Sequence, residues 1–168
     1  MKLPRFLAVV GVSTLMLSAA GFSEEKNGLS LNVQKTTLDR NDMRSGYMYD
    51  RLDRTQGLKI TVKNESFKDM GEGALDWQIL VRKYLSNVVM SYKGTEKVKS
   101  LKTGEAQDLK IGAAEVTGWR DGAYTEKDKI EWQVVVKQDG VEKIRSQSTS
   151  SFDTLAKRAT AAAPVPGH

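Results

Sequence analysis

The sequence predicts an all-β chain, an antiparallel β-sandwich of about seven to eight strands. Several short runs alternate apolar and polar residues with period two. Gly, Asp and Asn turn residues separate them. No long segment keeps a 3.6-residue period, apart from a possible short helix around Asp50. That combination favours a sandwich over alternating strand and helix units.

The first run is Gly28 to Leu38, with Leu29, Leu31 and Val33 on one side and Ser30, Asn32 and Gln34 on the other. Thr55 to Glu65 repeats the pattern, turning Leu58, Ile60 and Val62 inward. Ala74 to Tyr84 places Leu75, Trp77, Ile79 and Val81 on one face. Leu80 and Tyr84 on the other face imply that it too is partly covered. Asn87 to Lys93 is a β-branched and aromatic run that Gly94 is expected to end. Gln107–Ile111 and Ala114–Trp119 are weaker candidates. Lys129 to Lys137 turns Ile130, Trp132, Val134 and Val136 inward, and Val141 to Ser148 follows.

Gln138-Asp139-Gly140 joins the last two runs. A two-residue turn at Asp139-Gly140 would set Val134 against Arg145. A three-residue turn would set it against Ile144 and keep one face apolar, so the second is expected. Trp77-Gln78-Ile79-Leu80-Val81-Arg82 and Trp132-Gln133-Val134-Val135-Val136-Lys137 echo each other. A Trp-bearing third strand beside the penultimate strand is an immunoglobulin-like arrangement, so these two segments are assigned as sheet neighbours.

The domain boundaries follow from composition. Residues 1–20 have a basic start (Lys2, Arg5), an apolar stretch from Phe6 to Leu17, and Ser18-Ala19-Ala20 before Gly21. That is the pattern of a cleaved secretory signal peptide. An uncleaved anchor would need about 20 apolar residues, and Glu24 and Glu25 arrive too soon. The absence of cysteine excludes a lipoprotein anchor and any disulfide. Residues 28–155 are the expected sandwich, with Phe152 and Leu155 as a last docked turn. Residues 156–168, rich in Ala and Pro, are an expected disordered tail. Expected locations are the periplasm, the outer membrane or the cell surface, with no membrane span after cleavage.

The chain has 168 residues, 26 basic and 21 acidic side chains, no cysteine and one histidine. Loss of Lys2 and Arg5 with the first twenty residues lowers the net charge from +5 to +3. Cations so interspersed with acids do not predict a nucleic-acid binder. Thiol chemistry is closed, and a Ser-His-Asp triad would need a histidine held in the fold, whereas His168 is the last residue. No catalytic residue, cofactor or metal site is expected. Ser23-Glu24-Glu25-Lys26 matches Ser-x-x-Lys, but in an expected flexible start. Asn64-Glu65-Ser66 is a glycosylation sequon without expected use.

Asp39 to Arg54, DRNDMRSGYMYDRLDR, is the most unusual segment. As a calcium loop it fails, because Met43 and Arg44 stand where an acid or amide and a glycine belong. It reads either as a solvated loop or short helix with Asp50 and Arg54 at i,i+4, or as a recognition surface. In the second reading Arg40, Arg44 and Arg51 are donors, and Tyr47 and Tyr49 are rigid anchors. A second candidate is Trp119 and Tyr124, flanking Asp121-Gly122; these rings either form an exposed platform or, as expected of large aromatics, pack inward.

Leu29 to Ser148 resembles a family of small exported immunoglobulin-like proteins of Akkermansia-type Verrucomicrobia, from a locus resembling type IV pilus genes. Asn41-Asp42-Met43-Arg44-Ser45-Gly46-Tyr47, Asp76-Trp77-Gln78 and Glu131-Trp132-Gln133-Val134 carry the resemblance. It implies a pilus-associated or outer-membrane role with protein partners, and no functional residues. The chain then reads as a non-enzymatic structural or interaction module. Alternatives are a carbohydrate-binding module using the loop aromatics, with a glycan as partner, or a small hydrolase using two carboxylates.

Overall fold

A computed structural model describes residues 21–44, 50–121 and 123–161. The strands are β1 (Phe22–Lys26), β2 (Leu29–Arg40), β3 (Met43–Arg44), β4 (Asp50–Asn64), β5 (Gly73–Arg82), β6 (Val89–Val98), β7 (Ala106–Asp121), β8 (Tyr124–Lys127), β9 (Lys129–Gln138) and β10 (Val141–Gln147). A short helix α1 (Phe152–Ala156) and β11 (Thr160–Ala161) follow. One sheet runs β1-β2-β4-β7-β8, with β3 also on β4, and the other runs β10-β9-β5-β6-β11. All pairs are antiparallel except β11 on β6. The fold is an immunoglobulin-like β-sandwich. The two Trp-bearing strands β5 and β9 are direct neighbours, as their echo implied, with Ile79 opposite Trp132.

The core is what the alternation requires. Leu31, Val33, Leu58, Ile60 and Val62 of one sheet meet Leu75, Ile79, Val81, Trp132, Val134 and Val136 of the other. Each such side chain taken fully out of water contributes about 1.5–3 kcal/mol. Leu80 points to the other face of β5 and is buried by Phe152 of α1 together with Val89.

Several expectations are corrected. Residues 22–26 are not a loose start. Asn27 and Gly28 have φ of 55° and 71° and make a two-residue turn that folds β1 onto β2. The Phe22 ring stands edge-on to Trp132 at 5.6 Å between centroids. Gly94 does not end β6, which runs on to Val98. It sits opposite Trp77, and a Cβ there would fall 2.6 Å from the indole Cζ2, so the missing side chain makes room for the ring. The two weak candidates between Gln107 and Trp119 are one strand, β7, irregular where Gly112 and Ala113 lie between the pairs Leu58–Ile111 and Gln56–Ala114.

The last hairpin follows neither expected register. Asp139 and Gly140, at φ 52° and 74°, form a two-residue turn closing Gln138 on Val141. A bulge between Glu142 and Ile144 then shifts the register, setting Val134 against Ser146 and Val136 against Ile144. The bulge, not the turn, keeps one face apolar. Asp50, where a short helix was possible, begins strand β4, and residues 45–49 before it lie outside the described residues. The expected unordered tail does not start at Ala156. That residue ends α1, and Thr160–Ala161 pair with Met90–Ser91. Residues 1–20 and 162–168 lie outside the described residues. No helix of the described residues is long and apolar enough to cross a membrane.

Candidate interaction surface

The described parts of Asp39–Arg54 belong to the far end of a long hairpin: Asp39 and Arg40 end β2, Met43–Arg44 are β3, and Asp50 to Arg54 begin β4, while residues 45–49 lie outside the described residues. β4 and β7 have 15 and 16 residues against 10 in β5, β6 and β9. Of β4, Leu58, Ile60 and Val62 join the shared core, and Ala114 and Val116 of β7, opposite Gln56 and Arg54, are its last members on that side, so Asp50 to Asp53 extend past it while still paired to β7. Charges clasp this extension. Asp42 takes two hydrogen bonds from Arg54, Nε at 3.0 Å and Nη2 at 2.8 Å, and one from Arg40 Nε at 2.6 Å. The Arg54 hydrogen bond chiefly holds the Asp42 carboxyl down to about 2, and in return Asp42 raises Arg54. Arg51 Nε lies 2.8 Å from Asp53 Oδ2, and Arg120 Nη2 donates to Asp50 Oδ2 at 2.6 Å. Asp50 and Arg54 therefore do not pair with each other at i,i+4; each has a cross-strand or loop partner instead.

The aromatic residues lie beside these clasps. Trp119 stands opposite Arg51 on β4 and Glu126 on β8, so the three share one face. The Tyr124 ring packs on Trp119 with centroids 5.4 Å apart and planes at 50°. Tyr124 donates its hydroxyl proton to Glu126 Oε1 at 2.7 Å, and that carboxylate raises the phenol. The expected inward packing is not what is found: Tyr124 is 58% exposed and Trp119 half-buried. Both rings lie on the flank of the extended sheet, on β7 and β8.

An open cleft of about 590 Å³ lies against this face, lined by Arg51, Thr117, Gly118, Trp119, Tyr84 and Leu85. Leu85 is 80% exposed. Leu85 is not among the residues the sequence marks, and Tyr84, expected to end the strand from Ala74, lies in the β5–β6 connection after β5 ends at Arg82. The connection is anchored by the buried carboxylate of Asp128. That group accepts from Lys83 Nζ at 2.7 Å, Tyr84 N at 3.1 Å, Thr117 N at 2.9 Å and Thr117 Oγ1 at 3.1 Å.

Of the other sequence-stated candidates, Arg40 joins the Asp42 clasp, and Arg44 lies on β3 opposite Asp50. Tyr47 and Tyr49 lie outside the described residues. The carboxylates here do not resemble a hydrolase pair. Asp42, Asp50 and Asp53 are each held by a guanidinium, and Asp42 is displaced away from the range a general acid needs. Among the described residues, no three His, Cys, Asp or Glu side chains are grouped to hold a metal ion. The sequon asparagine, Asn64, is buried. Its Nδ2 donates to the carbonyls of Lys68 and Leu101, and its Oδ1 accepts from Ser66, so it is spent on the fold.

Fold and surface together define an immunoglobulin-like sandwich with a charge-clasped, aromatic-bearing extension. No family model matches the chain, and no curated protein matches it. Among solved structures it is similar to the crystal structure of a protein from Akkermansia muciniphila, 12% identical over 86% of this chain and 85% of that one, with a TM-score of 0.38. A likeness of that depth carries no argument about what the chain does.

Proposed function

We propose that the protein is a non-enzymatic, exported interaction module, an accessory of a pilus-like or outer-membrane assembly that it contacts through the extension of its longer sheet. The observation that carries this reading is exposed Leu85 and half-buried Trp119 lining an open cleft, with exposed Tyr124 packed on Trp119, beyond the shared core. The signal-like residues 1–20 support export, and the family resemblance of Leu29–Ser148 supports the assembly.

In-cell cross-linking with mass spectrometry in the native organism tests it. Cross-links from the extension to pilus or outer-membrane components are expected. Recovery of none would overturn the accessory role. A glycan partner is the second reading, motivated by the exposure of Tyr124. Its weakness is the 50° tilt between the rings, which leaves no flat platform for a sugar. Retention on a glycan array, lost in Tyr124→Ala, would reverse that preference.

A further inference from the structure

A second groove adjoins the aromatic cleft, with Tyr84 lining both. It lies between edge strand β8 and the β5–β6 connection, holds about 460 Å³, and is lined on its rim by Arg82, Lys127, Lys129 and Thr125. Arg82 and Lys129 stand directly opposite each other on β5 and β9. Like charges so placed are destabilising unless something relieves them.

Two other cationic pairs face each other across strands, and each is relieved. Arg40 and Arg54 share Asp42, and Lys59, opposite Lys110, has Asp108 at 3.8 Å. Arg82, Lys127 and Lys129 are exposed and have no carboxylate side chain within ion-pair distance. All 21 acidic side chains of the sequence belong to described residues, so the missing counter-charge is not elsewhere among the chain's side chains. Lys83, the fourth cation of the groove, is already held by Asp128. Glu126, its one acid, accepts from Tyr124. β8 is the last strand of its sheet, and its outer edge has no strand partner among the described residues.

We propose that this groove binds an extended acidic segment of a protein partner. The segment's backbone pairs with the β8 edge, its carboxylates meet Arg82, Lys127 and Lys129, and a large apolar side chain enters the cleft of Tyr84, Leu85 and Trp119. The proposal deepens the accessory reading and rests on it. The apolar cleft next to the cations favours a peptide over a purely anionic ligand.

The test uses the full chain without residues 1–20. The probe is a short fluorescein-labelled peptide of alternating glutamate and phenylalanine, with a lysine-for-glutamate counterpart. Saturable, salt-sensitive binding of the acidic peptide alone is expected. Lys129→Glu removes the repulsion with Arg82, so it should raise the melting temperature while weakening the peptide by about tenfold or more. Lys110→Glu, on a relieved pair, should leave binding unchanged. Equal binding of both peptides, or unchanged binding by Lys129→Glu, overturns the proposal. So does tighter competition by a heparin fragment or by anionic phosphatidylglycerol vesicles, which would make the occupant a glycan or a membrane. Amine-reactive cross-linking separates the two levels. Partner cross-links that avoid Lys127 and Lys129 would leave the accessory reading standing and remove the groove.

Discussion

Replacing Asp42 with asparagine measures the clasp that holds the extension together. The wild-type carboxylate receives three guanidinium hydrogen bonds of 2.6 to 3.0 Å, with side chains 15% exposed for Asp42 and 24% for Arg54. Those bonds, the one from Arg54 first, lower its pKa from 3.8 to about 2. At about 1.4 kcal/mol per unit, the ionised clasp contributes about 2 kcal/mol to stability. The folded-state value lies below the unfolded one, so this contribution is complete above the unfolded value of 3.8 and is lost as pH falls towards 2.

Asp76 and Glu142 are also lowered, by Lys137 and Arg145, so acid destabilises the wild type through several groups. The difference between wild type and Asp42→Asn isolates one of them. Urea unfolding of both proteins across that pH range should show a gap of about 2 kcal/mol near neutrality that closes in acid. A gap that stays constant down to pH about 2 would refute the electrostatic account, because a purely steric loss does not titrate.

Asp128→Ala should cost about 3 kcal/mol in urea unfolding, since it strands Thr117 N and Tyr84 N; Lys83, 28% exposed, can still reach water, which keeps the loss at the low end. Phe152→Ala empties the site formed with Leu80 and Val89 and should cost about 3–5 kcal/mol. Hydrogen exchange should show α1 and β11 losing protection before β4 and β7. Gly140→Val puts a β-branched residue at φ 74° and should cost about 1–2 kcal/mol, read as a shift in urea midpoint with an unchanged slope.

How much of this was legible in the sequence depends on what each feature rests on. Strands whose one face is buried announce themselves, because Leu58-x-Ile60-x-Val62 or Ile130-x-Trp132-x-Val134 fits only one periodicity. The sheet neighbours β5 and β9 were legible for the same reason. The register after β9 is not legible, because either the turn or a bulge can keep one face apolar, and here a bulge at Lys143 supplies the offset. Asn27-Gly28 is a strong two-residue hairpin signal, but no apolar alternation precedes it, because β1 is exposed along its whole length and leaves no such trace.

The surface was legible in residue type and illegible in arrangement. Arg40, Arg51, Trp119 and Tyr124 stood out by composition, yet the partners that decide their roles are set by register. Asp42 bonds Arg54, twelve positions away, and Asp50 bonds Arg120, seventy away. The Arg82–Lys129 pair is the clearest case. Neither residue is unusual in its own strand, and the two are brought together only when Trp77 pairs with Val134 rather than with Trp132. A register displaced by one residue would set Arg82 against Asp128 or Ile130, and the uncompensated pair would vanish. The register cannot move, because the same displacement would take either Ile79 and Val81 or Trp132 and Val134 out of the core. The apolar interior therefore enforces a repulsion at its rim, and relief of that repulsion is available to whatever carboxylate arrives from outside.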